Sequence, residues 1–226
     1  MKKLLSAAIA AATLGLSAGV ASASTISVDT SASGIFGNDL KAQVSFDDAT
    51  IGTGTVQAGM FHLTGTPGLG EFVAFCVELT QRLQNPQDYN INPNLFSASK
   101  AADISKLFGS ALMGGKMETV FDTAAEAAGF QIALWEVVYE TGSSYDMASG
   151  SFKAWGFDNN AALSAAVNDK AKDYLDGMAN APMPVLLFLE NDDYQDLVTV
   201  VPLPAAGFLL AFGVAGLGLA GRRKKA

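Results

Sequence analysis

Hydrophobic and polar residues alternate every second position through much of the first third of the chain, from about residue 24 to residue 79. This period of two predicts β-strands, and the glycines between the runs are typical of turns. The clearest alternating runs are 25–29, 41–46, 54–63 and 71–79. The next segment, 81–94, is polar and contains two prolines, so we interpret it as a loop.

From residue 99 the hydrophobic positions recur every three or four residues, which predicts helices. The expected elements, in chain order, are a short helix from 99 to about 112, a long helix from about 119 to 141, a loop at 143–159, a third helix from 161 to about 178, and closing strands at 185–190 and 197–201. This order predicts an α+β fold: antiparallel sandwich or barrel-like strands with an inserted helical segment at about 99–178. One domain, 24–200, is the simplest division.

The long helix carries a glutamine where its pattern calls for a hydrophobic residue. Ala127, Leu134, Trp135 and Val138 lie three, four or seven positions from Gln131 and therefore share its face. Burying a carboxamide without partners costs about 1–3 kcal/mol. Gln131 therefore needs a polar partner inside the protein.

Cys76 is the only cysteine, so the chain cannot form an internal disulfide. It lies in the run 71–79 on a mixed face, whereas the residues on the other face are all apolar. A lone cysteine in an exported protein is either a small buried hydrophobic residue or a reactive thiol.

The first 23 residues have the pattern of a secretory signal peptide. Lys2 and Lys3 precede an apolar run, and Ala21, Ser22 and Ala23 form a small-residue cleavage site. At the other end, residues 203–221 are apolar and long enough to cross a bilayer. The simplest interpretation of that end is a C-terminal membrane anchor with its basic tail in the cytoplasm.

The C-terminal 26 residues also resemble a more specific signal. They combine a VPLPA motif, an apolar helix and a basic tail, formed respectively by Val201, Pro202, Leu203, Pro204 and Ala205, by residues 206–220, and by Arg222, Arg223, Lys224 and Lys225. This arrangement is similar to the VPLPA variety of the PEP-CTERM sorting signal of Gram-negative bacteria. The resemblance implies export through the Sec translocon, transient inner-membrane insertion through the C-terminal helix, and processing by an exosortase-type sorting enzyme that delivers the protein to the cell surface.

Charge and residue counts disfavour several kinds of function. The predicted mature domain has 8 basic and 22 acidic residues, a net charge of −14, which disfavours nucleic acid and anionic membranes as partners. The single histidine, His62, lies in a predicted strand. One histidine and one cysteine are too few ligands for a zinc site. The acidic segment 190–196 lacks the spacing of a calcium loop, so we expect a solvated turn. We expect no cofactor, no metal and no turnover enzyme.

Cys76 and Gln131 together suggest one chemistry. A thiol can displace ammonia from a glutamine carboxamide and form an internal thioester, an acyl group that waits for a nucleophile. The reaction needs the two side chains in contact and shielded from water. We expect Phe75, Phe130, Leu134 and Trp135 to supply that cover, with Glu78 or Glu136 as a possible base.

Two segments resemble the signature blocks of bacterial surface thioester domains: Phe-Cys-Val-Glu at 75–78 and Gln-Ile-Ala-Leu-Trp at 131–135. The chain departs from that family at Phe130, where Thr is often found, and in its Gram-negative type of C-terminal signal. The resemblance implies a mostly β domain in which Cys76 is the thiol and Gln131 the acyl donor, and which binds covalently to amines on surfaces.

Two functions remain open at this point. In the first, the protein attaches through a Cys76–Gln131 thioester to an amine or hydroxyl partner, such as a surface protein or a polysaccharide. In the second, it is a structural protein of the extracellular matrix or biofilm with the same sorting signal and no thioester.

Overall fold

The protein is described by a computed structural model that covers residues 25–113, 115–142 and 144–201. It has an α+β fold, as predicted: a closed antiparallel barrel, a second small sheet and four helices. The predicted signal peptide (1–23) and all of the predicted sorting signal after Val201 lie outside the described residues. Within the described ranges, no helix is long and apolar enough to cross a membrane.

Six strands close the barrel in the order β1-β4-β5-β9-β8-β6, with β6 returning to pair with β1. Their bounds are β1 Thr25–Thr30, β4 Phe61–Thr66, β5 Gly70–Cys76, β6 Gln87–Ile91, β8 Leu186–Glu190 and β9 Leu197–Val200. Every pairing is antiparallel. The barrel therefore joins strands from both ends of the domain around the helical segment.

The second sheet has three antiparallel strands in the order β3-β2-β7. Their bounds are β2 Lys41–Asp48, β3 Gly52–Gly59 and β7 Phe152–Gly156. Alternate residues of β2 and β7 are buried, including Val44, Phe46, Phe152 and Ala154. One face of this sheet thus packs on the core and the other faces solvent.

The four helices lie between β6 and β8 in the chain, with β7 between α3 and α4. Their bounds are α1 Ala98–Leu112, α2 Met117–Val120, α3 Ala124–Tyr139 and α4 Ala161–Asp176. The central one is α3, which is buried without interruption from Ala127 to Val137. It packs on α4, on α1 and on the second sheet. At Gly129 a Cβ atom would lie 2.7 Å from Cβ of Lys170 and 2.9 Å from the carbonyl oxygen of Val167, so glycine permits the close approach of α4.

An aromatic cluster fills the space between β5 and the helices. Phe130 of α3 lies 4.6 Å from Phe75, 4.7 Å from Phe108 and 4.8 Å from Phe121, measured between ring centroids. All four rings are completely buried. These edge and tilted contacts fix the distance between α3 and the barrel strand β5, which carries the candidate site.

The structure corrects several expected boundaries. The segment 81–94, interpreted as a loop, contains β6, and the loop predicted at 143–159 contains β7. The single run 54–63 is two strands, because β3 ends at Gly59 and β4 begins at Phe61. The helix expected from 119 to 141 is the shorter α3, with α2 a separate turn before it.

Candidate functional site

The side chain of Gln131 is bound to the backbone of Cys76. Cys76 N donates to Gln131 Oε1 at 3.0 Å, and Gln131 Nε2 donates to the Cys76 carbonyl oxygen at 2.7 Å. Both residues are about 1 % exposed. The polar partner that the sequence required for Gln131 is therefore Cys76. The side chain of Gln131 extends from α3 to Cys76 at the end of β5.

The N–H and C=O of Cys76 have no partner in a neighbouring strand of the described chain, which leaves room for a side chain to bind them. Val77 N donates to the Asp196 carbonyl, so the backbone groups of Cys76, one residue earlier, point away from β9. On that other side, the last residue pair between β5 and β4 is Ala74 with Phe61. Gln131 thus takes the place of a missing strand neighbour and satisfies two buried backbone groups.

The Cys76 thiol is free and lies in a tight local turn. Its Sγ donates to the Glu78 carbonyl oxygen at 2.5 Å and accepts from Glu78 N at 3.3 Å. Burial raises the pKa of this thiol far above its usual value, and the nearby carboxylates of Glu78 and Asp196 raise it further. The resting group is therefore a neutral thiol and not a thiolate.

The indole of Trp135 lies beside the thiol. Its N–H lowers the pKa of Cys76, against the larger effect of burial. The Nε1 atom is buried and has no hydrogen-bond partner of good geometry among the residues that the structure describes. A donor left free in this position is available to a negative charge that develops on sulfur.

A cleft of about 240 Å³ opens onto Cys76, Gln131 and Trp135. The residues that form the rest of its wall are mostly apolar with several amides at the rim: Ile35, Phe36, Val56, Gln57, Phe61, Leu79, Gln81, Arg82, Leu83 and Gln195. The cleft gives a small group a way to the carboxamide, whereas the two reacting residues are shielded from bulk water.

Of the four residues expected to cover the reacting pair, Trp135 lines the cleft, whereas Phe75, Phe130 and Leu134 lie in the core behind it. Phe75 and Phe130 belong to the aromatic cluster, because Phe75 projects from the opposite face of β5 to Cys76. Leu134 is fully buried and does not line the cleft. The other walls come from strands β3 and β4 and from loops around residues 35, 79–83 and 195, which carry no motif by which the sequence could have identified them.

The carboxylates expected near the site have different surroundings. The pKa of Glu78 is raised by burial, and Glu78 acts on the thiol through its charge. Burial also raises the pKa of Asp196 to about 6, although its segment was expected to be a solvated turn. Glu136 accepts from Asp146 N at 2.8 Å and so is directed to the loop after α3, away from the cleft.

The remaining candidate residues lie elsewhere. His62 is in β4, where its ring packs against Gly37 and burial lowers its pKa. Across the described ranges, no group of three or more His, Cys, Asp or Glu side chains is arranged to hold a metal ion.

The fold and the site together define an α+β barrel protein in which a buried Cys–Gln contact lines a cleft. Comparison with family models, with curated proteins and with solved structures finds no match.

Proposed function

We propose that this is an exported surface protein that forms an internal thioester between Cys76 Sγ and Gln131 Cδ and uses it to attach covalently to an amine or hydroxyl partner. The two ends of the sequence support export and surface sorting of a Gram-negative type. The reaction consumes the site, so the protein is a binding module and not a turnover enzyme.

One observation carries the proposal: the Gln131 carboxamide is held by two hydrogen bonds to the residue that bears the thiol. Holding the reacting groups together supplies much of the rate of such a reaction. The bond from Cys76 N to Oε1 has a second consequence. Oε1 carries the negative charge of the tetrahedral intermediate, and a backbone N–H aimed at that oxygen stabilises it.

The bond changes balance without an external reagent. Sγ of Cys76 attacks Cδ of Gln131, the C–N bond breaks, and the thiol proton leaves with Nε2 as ammonia. In the second step an amine attacks Cδ, the C–S bond breaks, and the sulfur takes the proton that the amine loses. The free indole N–H of Trp135 is placed to stabilise the departing sulfur.

The same contact also favours a second function, in which the hydrogen bonds between Gln131 and Cys76 are structural. Both polar groups of the Gln131 amide are partnered, and the thiol has its own acceptor in the Glu78 carbonyl. This arrangement is complete without a covalent bond. In that case Gln131 ties α3 to the barrel, and the protein is a structural component of the extracellular matrix or biofilm.

Methylamine labelling separates the two functions. The thioester predicts that methylamine adds to Gln131 of the purified protein and releases a titratable thiol on Cys76, as located by peptide mapping. Cys76→Ala should abolish the label, and Gln57→Ala, which changes an amide at the rim of the same cleft, should keep it. A protein that takes up no methylamine at Gln131 while native would rule out the thioester function.

A further inference from the structure

The solvent-facing side of the second sheet forms a regular polar platform. The strand register places Thr55, Ser45 and Trp155 side by side in one row across β3, β2 and β7. Thr53, Asp47 and Lys153 form the next row. We call these six residues the sheet platform. They alternate with the buried positions Val44, Phe46, Phe152 and Ala154, so their side chains point to the outer face, where Ser45 is covered and the other five are exposed at least in part.

Two aromatic side chains are exposed at the β7 edge of the platform. Trp155 is 40 % exposed and Phe157, two residues further on, is 57 % exposed. Single exposed apolar residues are common, but a large exposed tryptophan on an otherwise polar face is not explained by packing. Ser45, the neighbour of Trp155 in the register, is 7 % exposed and shares a 2.9 Å hydrogen bond with Thr55.

A cleft of about 680 Å³ continues the platform past Trp155. It lies between β7, the 145–148 loop and α4, and it is lined by Trp155, Lys153, Asn168 and Asp169 among others. Asn168 accepts from Gly156 N through Oδ1 at 2.8 Å, which leaves its Nδ2 donors for a ligand. The surface thus offers an aromatic ring with hydroxyl, amide and carboxylate groups around it.

These groups fit the chemistry of a sugar chain. A pyranose ring has an apolar C–H face that packs on an aromatic ring and a rim of hydroxyls that both donate and accept. Neighbouring strands are about 4.8 Å apart and alternate residues along a strand about 6.8 Å, so the platform repeats polar groups on the length scale of a sugar residue.

The charge of the protein indicates which kind of sugar chain this surface would bind. The platform contains one acid and one base, Asp47 and Lys153, and its other four side chains are uncharged. The predicted mature domain as a whole has a net charge of −14. Such a protein repels polyanions at the ionic strengths where surface charge is not fully screened. The occupant that fits is an uncharged polysaccharide.

We propose that the sheet platform and the adjoining cleft form a non-covalent binding site for a neutral polysaccharide, with Trp155 as the stacking residue. The site is built on β2, β3, β7 and α4 and does not include Cys76 or Gln131. It therefore stands whether or not the thioester forms.

Affinity electrophoresis of the full chain tests this site. Native gels are cast with hydroxyethyl cellulose, with dextran, with the anionic polysaccharide alginate, or without polymer. We expect retardation in at least one neutral polymer and none in alginate, with Trp155→Ala binding about ten-fold more weakly because the stacked ring is lost. Val185→Ala, which shortens an apolar side chain that is 67 % exposed elsewhere, is the matched control and should bind like wild type.

Fluorescence locates the contact. The chain has two tryptophans, the buried Trp135 and the exposed Trp155. The neutral polymer that retards the protein should shift the emission to shorter wavelength in wild type and in Cys76→Ala, and should leave Trp155→Phe unchanged. Migration unaffected by both neutral polymers, retardation by alginate alone, or equal retardation of wild type and Trp155→Ala would each overturn the proposal.

Discussion

Helix α3 buries two polar side chains five residues apart, and they differ in how completely they are hydrogen-bonded. Gln131 is neutral, and both of its polar groups bind the Cys76 backbone. Glu136 is completely buried, but only Oε1 has a partner, the Asp146 N–H, and Oε2 has none among the residues described. Burial raises the pKa of Glu136 to about 7, so this carboxyl is half protonated near neutral pH.

The comparison shows how the number of hydrogen bonds that a buried side chain makes affects how firmly its atoms are held. In Gln131 both the oxygen and the nitrogen of the carboxamide bind the Cys76 backbone, and neither atom gains or loses a proton, so the carboxamide stays beside Cys76 at every pH. Glu136 ties α3 to the loop after it through a group whose charge changes with pH. The first contact is suited to chemistry that needs fixed atoms, and the second responds to the medium.

The largest effect should come from Gln131→Ala. The substitution leaves the buried N–H and C=O of Cys76 without partners, and we expect it to lower the free energy of unfolding by about 2–4 kcal/mol in urea titrations. In a linked protein it also removes the cross-link, which adds about 4 kcal/mol to the loss. A loss below about 1 kcal/mol would show that water or another group replaces the amide. Gln87→Ala, at a half-buried amide in β6, is the control and should cost far less.

Cys76→Ala sharpens the same comparison, because Gln131 binds the backbone of residue 76 and keeps both hydrogen bonds in this variant. In a protein without the thioester, the change removes one small buried side chain and should cost about 1 kcal/mol. In a linked protein it also removes a cross-link across 55 positions, worth about 4 kcal/mol if it constrains the unfolded chain as a disulfide does. The thioester function predicts the larger loss in urea titration.

Glu136→Gln should change how stability depends on pH. The folded pKa of about 7 lies above the ordinary value of 4.5, so the folded state holds this proton more tightly than the unfolded chain. The contribution is complete below about pH 4.5 and is lost as the pH rises to about 7. We expect the variant to be more stable than wild type at pH 8 by about 1–2 kcal/mol and similar to it at pH 4.

Thermal unfolding of both proteins across this pH range measures the difference. The groups around Glu136 are Glu140 and Asp146, whose charges raise its pKa, and Lys100, whose charge lowers it. Asp196 has a raised pKa as well and titrates in the same direction in both proteins. Parallel stability curves for wild type and variant would contradict the assignment to Glu136.

The smallest effect concerns the end of α3. Lys100 Nζ donates to the carbonyl oxygens of Val137 at 2.5 Å and Glu140 at 3.0 Å, so its charge lies at the negative end of the helix. Lys100→Met should cost about 1 kcal/mol in urea titration. Lys106→Met, which removes a half-exposed ion pair with Asp103, should cost less than about 0.5 kcal/mol. Equal costs would show that the helix end is satisfied without Lys100.

Much of the fold could be predicted from local pattern, and the errors have physical causes. Strand β6 has the sequence Gln-Asp-Tyr-Asn-Ile with only Tyr89 buried, so it lacks the hydrophobic run that identifies a strand. It exists because barrel closure needs a partner for β1 and β8. The start of α3 was predicted too early, at about residue 119, although the sequence carries a local signal for the true start. The Thr123 hydroxyl accepts from Glu126 N and donates to the Glu126 carboxylate at the N-terminus of the helix.

Part of the site could also be predicted from local sequence pattern. Cys76 and Gln131 stand out because each is unusual in its own segment, and that does not require knowledge of the tertiary structure. The cleft walls do require it, because Phe36, Leu83 and Gln195 come from three distant parts of the chain. The partner of Gln131 was also more specific than the pattern shows, since it is the backbone of Cys76 and not only its side chain.

The intact mass of the purified, denatured protein tests the central claim most directly, together with titration of its thiol. A Cys76–Gln131 thioester predicts a mass lower by one ammonia than the processed chain and no reactive thiol before base or amine treatment. The full mass of the processed chain, with one thiol that reacts as soon as the protein is unfolded, would contradict it and leave the hydrogen-bonded structural role.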